Sequence, residues 1–340
     1  MELDPELLEG ARNAVRVCMD VGSSDRVFIV TDDETLEVGK ALEIEARAVQ
    51  AEVECIRLEE FGQRPMTQVP DQLARRFTAF SPSVTFFAAS AKEGELSMRG
   101  GVFTLHREGK TRHAHMPTIT VQVMREGMRA DYHQVHQLTM RVYELVRDAK
   151  TIHVTAPEGT DFSAHFDEKL KWVPLGGLYP QAGEWGNLPE GEVFTCPATV
   201  EGIVVAREIG DYFAVKYGIL SQPMTIEIAD GCVTRVRSKQ KELEAEFIAY
   251  LDAAENGRRV GEFAIGTNIG ISALCGVFLQ DEKIPGVHIA FGNPYGYLTG
   301  ADWSSENHVD VIPPQSTIEV DGKLLMQDGR FTLPNYSIGA

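Results

Sequence analysis

Arg26-Val-Phe-Ile-Val-Thr31 is a short apolar run that ends at Asp32-Asp-Glu-Thr35. An apolar run of this length reads as a buried strand, and the acidic and hydroxyl residues behind it read as a helix start. Upstream, residues 5–20 carry Leu7, Leu8, Ala11, Val15 and Cys18 at helical spacing. Downstream, the order repeats: a helix over Leu36–Ala51, a strand over Val53–Leu58, a helix over Pro70–Ala79 and a strand over Val84–Ala89. Strands alternating with helices of this length predict a mostly parallel sheet with flanking helices, an α/β N-terminal domain over residues 1–150. No G-x-G-x-x-G follows the first strand and no Walker A lysine loop is present, so a bound nucleotide is not expected. The Gly100-Gly101 pair reads as a loop.

Around Thr151 the texture changes. Strands are expected at Thr151–Thr155, Gly202–Arg207, Met224–Ile228 and Val233–Ser238, and residues 317–326 read as a hairpin through Asp321-Gly322. One clear helix, Gln240–Glu255, places Leu243, Phe247, Ile248 and Leu251 on one face. Residues 151–340 are therefore expected to form an α+β, strand-rich C-terminal domain.

Composition narrows the function. The chain has 340 residues, which suits two domains. Lys and Arg total 32 against 50 Asp and Glu, a net charge of −18 that repels nucleic acid phosphates and anionic lipids. No apolar run reaches the ~18 residues needed to span a bilayer. The N-terminal Met1-Glu-Leu-Asp-Pro5 is acidic and lacks the apolar core of a signal peptide, so a cytoplasmic protein is expected. The five cysteines (Cys18, Cys55, Cys196, Cys232 and Cys275) form no CxxC pair and read as small buried hydrophobes.

Histidines mark two regions. His106, His113, His115, His133 and His136 lie in the first half, and structural or surface roles are expected for them. His113 and His115 read as part of a connection before Met116-Pro117, and His133 and His136 as opening a helix that runs to Asp148. The second region is Pro285-Gly-Val-His-Ile-Ala-Phe-Gly-Asn-Pro-Tyr295, followed by Ser304-Ser-Glu-Asn-His-Val-Asp310. His308 and Asp310 are two apart, so on a strand both project from one face. An imidazole and a carboxylate so placed are ready ligands for a divalent metal. Two further carboxylates stand out. Glu192 lies in Asn187-Leu-Pro-Glu-Gly-Glu192-Val-Phe-Thr, and Glu262 in the apolar run Val260-Gly-Glu-Phe-Ala-Ile-Gly-Thr-Asn268. A buried Glu262 needs a cation, a proton or a hydrogen-bonding partner; an exposed one needs nothing.

Taken together, Asn187–Thr195, Gly261–Asn268, His288-Ile-Ala-Phe-Gly292 and His308-Val-Asp310 fall in the order seen in the thermophilic-type metallo-aminopeptidases, the aminopeptidase T and aminopeptidase S group, which residues 150–330 resemble. The resemblance implies that Glu192, Glu262, His288, His308 and Asp310 bind two adjacent divalent ions, with zinc, cobalt and manganese all suited to such ligands. It also implies a catalytic tyrosine at Tyr295. It implies one more acidic metal ligand shortly before the first histidine, which Glu282 matches, although the gap to His288 is one residue longer here. Glu262 and Glu282 are the candidate catalytic carboxylates, and Glu190 is a second candidate base beside Glu282. The implied substrate is a peptide or small amide, and the implied assembly a homodimer.

Two other functions fit part of this pattern. The 2,5-dihydroxypyridine dioxygenases resemble the same family, keep the His-x-Asp pair and use a single iron. They carry histidine at the position of Glu262 and lack the residue matching Glu192. Retention of both glutamates here favours two metals and hydrolysis. The third reading is a non-catalytic metal-binding relative.

Overall fold

The structure is a computed structural model that describes residues 4–210 and 212–333. Its packing divides the chain into two units, one of Met1–His136 with Gly177–Glu190 and one of Gln137–Gly176 with Gly191–Ala340.

The first unit is built on a five-stranded parallel sheet. β1 (Arg26–Thr31), β2 (Glu52–Arg57), β3 (Val84–Phe87) and β4 (Arg112–His115) lie in the order β2-β1-β3-β4, and the strand Trp185–Asn187 joins beside β4. β1 is buried on both faces, as a central parallel strand requires: Val27 and Ile29 point one way, Phe28 and Val30 the other. On the second face, Phe28, Val30, Ile56 and Phe87 pack with Leu73 and Phe77 of the helix Asp71–Phe80 and with Met98 and Val102 of the helix Leu96–Gly109. The N-terminal helix runs from Pro5 to Arg12 and continues as a wider π-helical turn over Asn13–Cys18.

Two expectations are corrected here. Gly100 and Gly101 lie inside the helix Leu96–Gly109 and not in a loop. A Cβ on Gly101 would come within 2.5 Å of Val69 Cγ2, so close packing selects a glycine that local propensity reads as a breaker. His113 and His115 form part of β4 and not of a connection. His113 is fully buried, its Nδ1 2.8 Å from Thr85 Oγ1, and burial holds its pKa well below the usual imidazole range.

β1 and β3 are neighbours from which the chain departs in opposite directions, the place where open parallel sheets bind ligands. Here that place is filled by side chains. Asp32 is fully buried and accepts hydrogen bonds from the backbone of Ser90 (2.7 Å) and Thr35 (2.9 Å). The Arg64 guanidinium bridges Asp32 and the equally buried Glu95. Replacing Arg64 by alanine strands two buried carboxylates and is expected to destabilise the fold by about 3–5 kcal/mol. An unchanged urea midpoint for R64A would refute this.

The second unit contains two antiparallel sheets. The larger runs in the order Cys232–Arg237, Met224–Ala229, Thr199–Ala206, Asp161–His165, Thr151–Thr155, Thr317–Val320, Lys323–Gln327 and Arg330–Phe331. Its expected C-terminal hairpin turns at Asp321 and Gly322, both with positive φ (47° and 76°), as a two-residue turn between twisted strands requires. The smaller sheet runs in the order Glu208–Ile209, His308–Ile312, Gly286–Gly292, Val260–Gly266, Glu192–Thr195 and Val173–Leu175. Phe162, Val200, Val204 and Ile226 from the larger sheet share one core with Phe263, Ile289, Phe291 and Val311 from the smaller. The helix Lys241–Asp252 adds Leu243, Phe247 and Leu251 to it. Among the described residues, no helix is long and apolar enough to cross a membrane.

Candidate metal centre

The smaller sheet has two chemically distinct faces, and period-two alternation produces them. Phe263 and Ile265, then Val287, Ile289 and Phe291, then Val309 and Val311 enter the core. The residues between them, Glu262, Ala264, His288, Ala290, His308 and Asp310, take the other face. Register brings the chemistry together. Glu262 and Asp310 lie opposite Ala290 from its two flanking strands, His288 opposes Ala264, and Glu192 opposes Gly266. The small side chain of Ala290 leaves room above it for both carboxylates.

The result is a compact set of donor atoms. Glu192, Glu262 and His288 offer ligand atoms within 4.8 Å of one another, as do Glu262, His308 and Asp310, and Glu282, His288 and Asp310. His288 Nε2 is 3.5 Å from Glu262 Oε1, 3.7 Å from Glu192 Oε2 and 3.8 Å from Asp310 Oδ1. His308 Nε2 is 3.6 Å from Glu262 Oε2 and 3.4 Å from Asp310 Oδ2. Glu262 thus turns one oxygen toward each histidine, and so does Asp310. Most of these separations are too long for good hydrogen bonds. They match the spacing of two ligands that share an ion at about 2.1 Å from each. Glu192 Oε2 is buried with no hydrogen-bond partner, a state that a bound cation resolves. The residues therefore fit a divalent metal, and their nitrogen and oxygen donors suit zinc, cobalt or manganese.

Surrounding groups aim the ligands. His308 Nδ1 lies 3.0 Å from the Asn293 carbonyl, which leaves Nε2 toward the carboxylates. The Tyr295 ring rests on the His308 ring, centroids 4.7 Å apart, and edge-on to Phe194 at 6.1 Å. Tyr295 itself sits at φ 47°, ahead of the short helix Gly296–Thr299. Glu282 follows the short helix Phe278–Asp281, and its Oε1 is 3.0 Å from Lys283 Nζ. Glu190 belongs to the first unit, where it accepts a hydrogen bond from Tyr179 (3.1 Å), and is in none of the three donor groups. Cys196 is buried beside Pro197, and burial pushes its thiol up to about 12, so it is not a nucleophile at neutral pH. Cys18 is likewise buried, whereas Cys55, Cys232 and Cys275 are partly exposed.

Three residues of this centre carry no sequence signal of their own. Lys283 stands in Asp281-Glu-Lys283, a charged run that reads as surface; yet its side chain is 2% exposed, with Nζ 2.7 Å from Glu192 Oε1. Ala290 acts through register, and Asn293 through its backbone carbonyl at His308 and its Oδ1, which accepts from the Tyr295 N–H (2.9 Å).

Without metal the carboxylates must be balanced by protons. Burial opposes charge on His288, but Glu262, Glu192 and Asp310 outweigh it and raise its pKa to about 9. His308, buried but facing Asp310 and Glu262, rises to about 10. Burial pushes Glu282 up to about 8, the charge of Lys283 only partly offsetting it. A folded-state pKa above the unfolded value contributes stability that is fully present below the unfolded pKa and is lost as pH rises through the folded one. The urea midpoint of chelator-treated protein is therefore expected to fall between about pH 5 and 10, Glu282 acting in the lower part of that window and the histidines in the upper, and metal uptake near pH 8 to release about two protons per chain. A flat midpoint and proton-free uptake would contradict the arrangement. Leucine at Ala290 should fill the space between Glu262 and Asp310. A290L is expected to fold, at a cost of about 1–3 kcal/mol, and to lose bound metal on elemental analysis.

The chain matches the sequence profile of the thermophilic metalloproteases (M29) over residues 110–326, which include every donor named above. Wild-type AmpT from Thermus thermophilus is similar in structure, with a TM-score of 0.71 at 20% identity over 96% of this chain and 99% of that one. So is the 2,5-dihydroxypyridine dioxygenase from Pseudomonas putida KT2440, with a TM-score of 0.67 at 16% identity over 96% of this chain and 97% of that one. At such identities the likeness concerns the fold alone. No curated protein matches in sequence. The motifs from Asn187 to Asp310 and the profile match point the same way, and the chain belongs to the thermophilic metalloprotease family, M29.

Proposed function

We propose that the chain is a metal-dependent aminopeptidase whose centre holds two divalent ions. The observation that carries this reading is the split orientation of Glu262, Oε1 3.5 Å from His288 Nε2 and Oε2 3.6 Å from His308 Nε2. Each oxygen of Glu262 could serve a separate ion, one that Glu192 and His288 would also hold and one that His308 and Asp310 would also hold. The chemistry such a pair would supply is an activated water and a polarised carbonyl.

The remaining roles fall to the protein's own groups. Asp310 would help His308 to hold the ion on that side of the centre. Tyr295 donates a hydrogen bond to the oxyanion that develops on the scissile carbonyl. Glu282, set beside His288 and Asp310 with its Oε1 3.0 Å from Lys283 Nζ, is the proposed proton acceptor. A substrate amino terminus pairs with a carboxylate of the centre, which restricts cleavage to the first peptide bond. Peptides or small amides are the proposed substrates and a homodimer the proposed assembly.

His288, His308 and Asp310 alone would also make a mononuclear iron triad, and the fold shared with the dihydroxypyridine dioxygenase favours that as the second reading. Elemental analysis separates the two. Close to two ions per chain, with hydrolysis of unblocked but not N-blocked peptides in zinc, cobalt or manganese, is the expected result. One iron per chain with oxygen uptake identifies the dioxygenase, and cleavage of blocked and free peptides alike rules out an aminopeptidase. Glu262→Gln is expected to lose metal and at least about 100-fold in activity, since even the outer partners of metal ligands cost 10–100-fold.

A further inference from the structure

Lys283 brings a cation into the heart of this centre. Its Nζ is 2.7 Å from Glu192 Oε1 and 3.0 Å from Glu282 Oε1, and its side chain is 2% exposed. The backbone explains how a lysine arrives there. After the helix Phe278–Asp281, the Lys283 N–H donates to the Gln280 carbonyl (2.9 Å), and its own carbonyl accepts from Asn268 (3.1 Å). That turn lies against Gly266, the residue paired in register with Glu192. A Cβ on Gly266 would come within 2.0 Å of the Ile284 oxygen and 2.9 Å of the Lys283 carbonyl carbon. Only glycine admits the turn, and the admitted turn delivers the ammonium to Glu192.

We propose that Lys283 is a positioning residue that makes the two metal positions unequal, weakening the one formed by Glu192, Glu262 and His288 relative to the one formed by Glu262, His308 and Asp310. The inference rests on the two-ion reading above. Two effects act together. The charge-assisted hydrogen bond takes Glu192 Oε1, so that Glu192 has Oε2, the oxygen 3.7 Å from His288 Nε2, to offer an ion. A fixed positive charge in a water-poor site also repels a divalent cation far more than it would in water. Glu282 Oε1 is drawn to the same ammonium, which leaves the second oxygen of Glu282 to act as a proton acceptor. The centre fills in order, the His308 side first.

Titration of chelator-treated protein with cobalt(II), followed by calorimetry and visible absorption, tests this. Wild-type protein is expected to show two binding events with dissociation constants at least about 10-fold apart. Lys283→Met is expected to tighten the weaker event by about 10-fold or more and close most of that gap, while Lys283→Arg, which keeps the charge, preserves it. Lys283→Gln carries the same expectation as Lys283→Met and replaces it should the apolar variant fail to fold by circular dichroism. Two equal events in wild type, or a gap unchanged in the neutral variants, overturns the role of Lys283 while leaving the two-ion centre standing. A single event in wild type overturns the two-ion reading and this inference with it.

Discussion

Glu192, Glu262, Glu282 and Asp310 gather four carboxylates around two histidine rings, nearly all of it out of water. Carboxylates so placed repel one another and have lost their hydration, and a protein interior tolerates them only beside compensating cations. This constraint governs the rest of the centre. It raises His288 to about 9 and His308 to about 10, so that protons occupy the centre when metal does not. It brings in Lys283 as a permanent counter-charge. Binding of a divalent metal would displace protons and relieve the same repulsion, which is the physical source of affinity in such a site.

The antiparallel sheet makes this arrangement precise enough for chemistry. One face is locked by Phe263, Ile289, Phe291 and Val311 in the core, so the other cannot slip register without exposing that core. Glu262, His288, His308 and Asp310 inherit the rigidity of strand interiors. Glu282, Lys283 and Tyr295 come instead from turns and short helical segments, where one inserted or deleted residue changes which side chain arrives. The longer gap between Glu282 and His288 is such a change. The first unit answers a smaller version of the same problem with Arg64 between Asp32 and Glu95.

Legibility followed periodicity. The strand at Arg26–Thr31 and the strand at Thr151–Thr155 were readable because apolar runs and alternation are local patterns. The helix over residues 241–252 was readable from its one apolar face. β4 was not, because Arg-His-Ala-His carries neither signal; it becomes a strand because its parallel neighbours β3 and Trp185–Asn187 supply its hydrogen bonds. The helical Gly100-Gly101 pair escaped for a related reason, since the approach of Val69 at Gly101 is a long-range contact that no local propensity encodes.

By itself the sequence marked the candidate residues, His308 and Asp310 by their spacing on a strand and Glu262 by its place inside an apolar run. It also determined the α/β character of the first part and the strand-rich character of the second. Only the tertiary structure decided how the ligands share their oxygens, since the convergence of Glu262 and Asp310 across Ala290 depends on the pairing of three strands distant in sequence. It alone decided that Lys283, in a charged run that reads as surface, lies buried against Glu192. That outcome depends on Gly266 leaving space for a turn from elsewhere in the chain, and a missing side chain leaves no pattern to read.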